Sequence, residues 1–198
     1  MDQSAVNLAA TIRALTDVVA PAVDPSNARA REQLNLSIDH LVFLLERIDH
    51  LHERHYHELR QQMTLAGSLL DASAGEQFEA RAALQRALQD CADRVGAARA
   101  GAPADELPAM PLPVDTLRQC LDRLGAATAG MVQACQDMGE DVRRRVERCV
   151  LEQDEARIRF ERVWYAPLGF DSHARALGSL TDVLSGQGDG GSQDSGCG

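Results

Sequence analysis

The chain has 198 residues, 44% of them hydrophobic but only 4% aromatic, and a formal net charge of −10. This length is enough to bury one core, and the acidic excess argues against a nucleic-acid partner, because phosphate binding depends on clustered basic side chains. The apolar residues are mostly Ala, Leu and Val, which favours closely packed helices over sheets. All 20 basic residues are Arg, which we attribute to a GC-rich bacterial genome.

The N-terminal segment predicts a first helix from about Ser4 to Ala20, ended by Pro21. Its apolar side chains recur every three or four residues, as expected for one face of a helix. The segment lacks the basic start and unbroken apolar core of a secretory signal or membrane span. We therefore expect a cytoplasmic protein with no membrane association.

A second helix is predicted to begin at Asp24, which can serve as N-cap, with Pro25 at the first helical position. It extends to about residue 72, with Gly67 as the candidate position for a kink. Its seam alternates spacings of four and three residues, the pattern of a coiled coil or a long bundle helix. The seam residues are Leu34, Ile38, Leu41, Leu45, Ile48, His52, His55 and Leu59.

A third helix is predicted to start at Ser73, because Ser73 and Glu76 have the spacing of a capping box. It ends before a connector at residues 101–113, whose four prolines cannot continue a helix. The second long helix then covers about residues 114–165, with bends expected at Gly125 to Gly130 and at Gly139.

A short fifth helix is expected at about Ser172 to Leu184, followed by a Gly- and Ser-rich tail, residues 185–198, that we expect to be disordered. Together these elements predict an all-α fold. The architecture is an antiparallel helical bundle built on two long helices (about 25–72 and 114–165), with shorter helices packed around them. We expect residues 1–184 to form a single domain.

Five of the six histidines fall between His40 and His57. His52 and His55 lie on the seam, and Asp49 precedes His52 at a spacing close to the Glu-x-x-His units of di-iron bundles. Asp49, His52 and His55 are therefore the candidate ligands of a divalent metal; the alternative is that the two histidines form hydrogen bonds within the seam. The remaining polar residues recur on an outer face that we expect to be solvated: Glu46, His50, Glu53 and His57.

The five cysteines include no C-x-x-C pair, so a disulfide framework or structural zinc site is not expected. Those on apolar stripes, such as Cys135 and Cys149, are interpreted as small core residues. The chain also lacks the usual phosphate-binding, nucleotide-binding and hydrolase motifs. We expect no catalytic residues and no cofactor, apart from the alternative of a divalent metal.

The long apolar stripes favour a helical protein–protein interaction module: an adaptor, chaperone-like or accessory protein that binds a protein partner or a second copy of itself, with a homodimer as the leading form. The alternative is a bundle that binds a metal or small molecule through the His-rich part of the second helix. Aromatic side chains dominate interface energetics, although they can also simply close the bundle. The candidate partner contacts are Phe43, Tyr56, Phe160, Trp164 and Tyr165.

Overall fold

The computed structural model describes residues 3–100 and 112–185, and within them the chain is helical with no strand. The all-α prediction is confirmed. No described helix is both long enough and apolar enough to cross a lipid bilayer. Residues 186–198 of the predicted tail and residues 101–111 of the proline-rich connector lie outside the described residues. The α-helices are α1 Ser4–Ala14, α2 Ala20–Ala22, α3 Ala28–Arg47, α4 Leu51–Ala72, α5 Glu79–Ala100, α6 Val114–Ala134, α7 Glu140–Trp164 and α8 Leu180–Ser185.

The first predicted long helix consists of α3 and α4, joined by a 3-10 turn at Ile48–His50. It begins later than predicted, because the Asp24 carboxylate accepts hydrogen bonds from the backbone N–H and hydroxyl of Ser26, both at 2.8 Å. Asn27 is the N-cap instead, and its side chain accepts from the Ala30 N–H at 3.1 Å. Gly67 does not interrupt α4.

The second predicted long helix consists of α6 and α7. A 3-10 turn at Cys135–Asp137 and the extended backbone of Met138 (ψ 174°) separate the two helices. The bend expected at Gly139 is thus confirmed, whereas α6 runs without a break through Gly125 and Gly130.

The turn between α4 and α5 corrects the predicted capping box. The Ser73 hydroxyl donates back to the Leu69 carbonyl at 2.9 Å, so it closes the end of α4 rather than capping a new helix. Gly75 then adopts a φ of 90°, a left-handed conformation that glycine reaches without strain. As a result α5 starts only at Glu79.

The predicted fifth helix is two shorter elements, a 3-10 turn at Ala174–Leu177 and α8. Gly178, with a φ of 102°, separates them. The Ser179 hydroxyl accepts from the Asp182 N–H at 3.2 Å and donates to the Asp182 carboxylate at 2.6 Å. This reciprocal cap starts α8, and it explains why the helix begins after Gly178.

The described residues form two compact units. The central unit, residues 52–100 and 112–159, contains α4, α5, α6 and the longer part of α7. The terminal unit, residues 3–51 and 160–185, contains α1 to α3, the last turn of α7 and α8. The single domain expected for residues 1–184 stays a prediction, which one cooperative unfolding transition would support.

The central unit is a four-helix bundle, and contacts between helix pairs give the helix directions. Arg145 near the start of α7 donates to the carbonyl of Ala72 at the end of α4, at 2.9 Å, so these two helices are antiparallel. Near its start α4 contacts the start of α6, through His55 and Arg118, so this pair is parallel. Because a short turn reverses the chain from α4 into α5, the helices alternate in direction along the chain.

The core of the central unit contains apolar side chains from all four helices. These side chains are almost completely buried. They include Leu59, Leu69, Leu84, Cys91, Leu117, Cys120, Leu124, Met131, Cys135 and Val146. The apolar seams of these four helices are therefore buried against one another within the unit.

The terminal unit has a much smaller core, formed by Phe43, Phe160, Trp164 and Leu184. Neither α1 nor α2 contains a buried side chain, and Phe43 is the only buried residue of α3. Because α1, α2 and α3 bury so few side chains, part of the apolar surface of the terminal unit stays open to solvent. In this respect the terminal unit differs from the central unit.

Candidate functional site

The three candidate metal ligands differ in their surroundings. Asp49 lies in the 3-10 turn Ile48–His50 and is exposed, whereas His52 and His55 lie in the first turns of α4 and are half-buried. Among the described residues, no group of three His, Cys, Asp or Glu side chains is placed to hold a metal ion. Both histidines are instead engaged with protein groups.

His52 and Tyr56 together hold the backbone of Leu112. The His52 Nε2 lies 2.9 Å from the Leu112 carbonyl oxygen, so this nitrogen carries the proton and donates. The Tyr56 hydroxyl accepts from the Leu112 N–H at 3.0 Å. The two side chains are one helical turn apart, and they fix both polar groups of a residue that lies two positions before α6.

His55 is engaged differently, because its Nε2 accepts a hydrogen bond from the Nε of Arg118 at 3.3 Å. A ring nitrogen that faces a guanidinium has its lone pair occupied and lies next to a fixed positive charge. Both conditions oppose coordination of a cation through that atom. The contacts therefore favour the alternative interpretation, in which His52 and His55 form hydrogen bonds within the bundle.

Metal binding itself stays a prediction, and elemental analysis tests it. From these contacts we expect protein purified without chelators to contain far less than one equivalent of iron, zinc or manganese. A His52→Ala variant should have the same metal content but a lower free energy of unfolding by about 1–3 kcal/mol, because the Leu112 carbonyl loses its donor. Stoichiometric metal that disappears in His52→Ala would instead support the metal-binding alternative.

The prediction that His57 lies on a solvated face is wrong, since its side chain is buried and only 9% exposed. The predicted seam itself is buried, since Leu59, Ala66 and Leu69 are at most 1% exposed. His57 lies three turns before Ser68, whose carbonyl accepts a hydrogen bond from Cys149 of α7. A helix inside a four-helix bundle contacts more than one neighbour, so α4 buries a second face besides its seam.

Burial lowers the pKa of His57 below its ordinary value of 6.5, and the charge of Arg60 lowers it further, partly offset by Glu58. At a pH between 6.5 and the lower native value, the unfolded chain binds a proton that the folded chain does not. Stability is thus complete above pH 6.5 and falls as the pH drops below it.

We predict that the urea midpoint of the wild type falls between about pH 7.5 and about pH 5.5, and that His57→Gln shows a smaller decrease over the same range. Circular dichroism at several pH values measures both midpoints. His173→Gln, which changes an exposed histidine, is the matched control and should retain the wild-type pH dependence. Identical slopes for wild type and His57→Gln would refute a role for this histidine.

The described cysteines are all free thiols, and three are buried in the central core. Burial, together with Cys120, raises the pKa of Cys91 to about 12. Burial also raises the pKa of Cys135 and Cys149. Thiolate formation is disfavoured at these positions, which agrees with the interpretation of Cys135 and Cys149 as core residues.

Most of the candidate partner contacts are enclosed. Phe43, Phe160 and Trp164 are at most 5% exposed, and Tyr56 is half-buried with its hydroxyl bound to Leu112. Tyr165 is 43% exposed and stacks on Phe43, with ring centroids 5.5 Å apart. This burial favours the alternative in which the aromatic residues close a core.

Arg47 completes that core. Its Nε donates to the Trp164 carbonyl at 3.0 Å, and its side chain is 11% exposed. The guanidinium carbon lies 5.8 Å from the ring centre of Phe43 and 5.6 Å from that of Trp164. Burial lowers the pKa of Arg47, while the aromatic faces stabilise its charge.

The feature that sequence reasoning missed is an open groove on α3. Its volume is about 570 Å³, and the segment that follows α7 forms one of its walls. Phe170 in that wall is 82% exposed, and Leu36 on the helix is 48% exposed. The lining residues are Gln33, Leu36, Ser37, Asp39, His40, Leu41, Leu168 and Phe170.

Two local features position the groove. Gly169, with a φ of 74°, ends the 3-10 turn Ala166–Leu168 in a left-handed conformation, and the chain leaves that turn at Phe170. On α3, Leu36, His40 and Leu44 follow at intervals of four residues and so share one face. This face lies away from the predicted seam, so no heptad pattern identifies it.

No protein family, curated protein sequence or solved structure matches this chain. Functional inference therefore depends on the groove and on the contacts described above.

Proposed function

We propose that this chain is a cytoplasmic helical protein–protein interaction module, an adaptor or accessory protein, that binds its partner through the groove on α3. The observation that carries the proposal is the exposure of Phe170, at 82%, beside a groove lined by Leu36, Leu41 and Leu168. Contiguous exposed apolar surface on a folded protein usually marks a contact site.

The energetics support binding at this position. Transferring a Phe or Leu side chain from water into an apolar contact stabilises a complex by roughly 1.5–3 kcal/mol each. Phe170 and Leu36 are largely exposed, so burying them against a partner would contribute this free energy to binding. Phe160 and Trp164 are already buried by folding, so they would contribute little.

The shape of the groove favours a protein ligand over a polyanion. One wall is a helix, and its lining alternates apolar side chains with Gln33 and Ser37, which can pair with polar groups at the edge of a docked helix. Asp39 on the same lining, and a net charge of −10, oppose binding of phosphate-rich molecules.

Affinity capture from the native host tests this function with a matched pair of variants. Phe170→Asp places a charge in the groove, and Leu151→Asp places the same charge at an apolar side chain of α7 that is 68% exposed. We expect wild type and Leu151→Asp to retain the same stoichiometric protein, and Phe170→Asp to lose it by about tenfold or more. Equal recovery with all three, with circular dichroism confirming folding, would contradict the proposal.

A further inference from the structure

We infer that the partner of the groove on α3 is an amphipathic helix with Arg or Lys side chains along one edge of its apolar face. This inference rests on the interaction function proposed above and adds the chemistry of the partner. Two features of α3 support it: an apolar stripe that stays exposed, and a row of exposed carboxylates along one side of that stripe.

The apolar stripe consists of Leu36 and Leu44, which are 48% and 38% exposed. Residues at intervals of four lie on one face of a helix, so the stripe runs along the axis of α3. Leu36 also shares the groove lining with Phe170, which is 82% exposed. A second helix that lies lengthwise on this stripe can bury both leucines with apolar side chains spaced three and four residues apart.

The carboxylates belong to Glu32, Asp39 and Glu46, all of which are exposed. They follow one another at intervals of seven residues, which is close to two turns of an α-helix, so they form an acidic row along one side of α3. Asp39 belongs to the groove lining, and Glu32 precedes Leu36 by one turn. The acidic row therefore follows one edge of the apolar stripe.

The chain itself supplies few cations to the acidic row. Among the described side chains, Glu32 and Asp39 form no ion pair. Glu46 has one long contact, at 3.9 Å, with Arg47, whose Nε donates to a backbone carbonyl instead. The negative charge of the row is therefore available to cations of a partner.

The surroundings of the stripe are asymmetric in charge. Its opposite edge has the uncharged side chains Gln33 and Ser37, and the basic residues Arg29 and Arg31 precede the groove lining. Charged side chains that flank an apolar seam select the partner, because like charges repel across the seam and opposite charges attract. A helix with cations facing the acidic row is thus favoured, and a helix with carboxylates at those positions is opposed.

The acidic row contributes selectivity more than affinity. An exposed ion pair changes affinity by only about two- to fivefold, so the exposed leucines and Phe170 supply most of the binding free energy. A single docked helix also covers less than the roughly 800 Å² per partner of standard interfaces. We therefore expect a dissociation constant of micromolar order for the basic helix.

Fluorescence anisotropy with two labelled synthetic peptides tests the inference on the purified full chain. Both peptides carry Leu at the same positions of an amphipathic helix, and the flanking positions are Arg in one peptide and Glu in the other. At about 150 mM salt, we expect the Arg peptide to bind about tenfold more tightly than the Glu peptide. Equal affinities, or no binding of the Arg peptide, would overturn the inference.

A matched pair of double variants separates the acidic row from the overall negative charge of the chain. Glu32→Gln with Asp39→Asn removes two charges from the row, and Glu155→Gln with Asp122→Asn removes the same two charges from exposed positions of α7 and α6. We expect the first double variant to bind the Arg peptide about fivefold more weakly, and the second to bind it as wild type does. Equal losses would show attraction to net charge alone and would overturn the inference.

Affinity capture with Phe170→Asp separates this inference from the proposed function. If the Arg peptide does not bind while a captured protein is lost in Phe170→Asp, the partner has another chemistry: this inference fails and the proposed function stands. If neither the peptide nor any captured protein depends on the groove, both fail.

Discussion

Replacing Trp164 with alanine should destabilise the terminal unit by about 3–5 kcal/mol, the usual loss for a large aromatic side chain in a core. Trp164 is 2% exposed, and its ring packs against Phe160 at a centroid distance of 6.1 Å. The substitution also removes one of the two aromatic rings beside the Arg47 guanidinium. Arg47 would then be buried with less compensation for its charge.

Hydrogen exchange measures this effect locally. In Trp164→Ala, the amides of α3 and α8 should lose protection by the same free energy, because both helices pack against the core that contains this ring. Tyr165→Ala is the control, since Tyr165 is 43% exposed and should cost less than about 1 kcal/mol. Unchanged protection of α3 in Trp164→Ala would show that this small core does not stabilise the unit.

Replacing Leu124 with alanine should destabilise the central unit by about 2–5 kcal/mol. Leu124 of α6 is fully buried in the core formed by four helices, so the substitution leaves a cavity that the neighbouring side chains fill only in part. Urea denaturation followed by circular dichroism gives the change in the free energy of unfolding.

Leu151→Ala is the matched control for this prediction, because it removes the same atoms from a side chain that is 68% exposed. We expect a change within about 0.5 kcal/mol for this variant. If the two variants lose the same free energy of unfolding, the side chain of Leu124 does not lie in a closed core.

Composition and periodicity were sufficient to predict the all-α fold and the approximate extent of its helices. These two signals predict helices because an apolar stripe with helical spacing must be buried by a neighbouring element. The prediction does not require knowing which element that is. The packing of Leu59, Leu117 and Leu124 into one core follows from such stripes. Gly139 likewise indicated the break between α6 and α7.

The helix boundaries were less predictable, because they depend on competition between hydrogen bonds. Asp24 and Ser73 are both suitable N-cap residues, but each forms a competing hydrogen bond. Asp24 accepts from Ser26, and Ser73 donates back to Leu69, so both helices start further along the chain. The 3-10 turn at Ile48–His50 has no comparable signal in the sequence. The burial of His57 was missed for another reason: a single seam describes one face of a helix, whereas α4 buries two.

The groove was not predictable from the seam pattern, since surface is left open only where no other element covers it. Phe170 follows Gly169 in a short connecting segment, outside any predicted helix. The sequence indicated the aromatic residues at helix ends as candidates. Phe43 and Trp164 are instead buried in the core of the terminal unit, and the Arg47 guanidinium lies beside both rings. The sequence signal for this site is an aromatic residue, Phe170, that directly follows a glycine and lies outside every predicted helix.

Site-specific photo-cross-linking in cells of the native host tests the binding role of the groove most directly. A photoreactive residue at Ser37 lies in the groove lining. At Thr64, which is also exposed and also donates its hydroxyl to the carbonyl four residues earlier, the same residue lies on α4 and serves as control. We predict a discrete protein adduct at Ser37 that is absent at Thr64 and lost in Phe170→Asp. No adduct at Ser37, or one that persists in Phe170→Asp, would contradict a binding role for the groove.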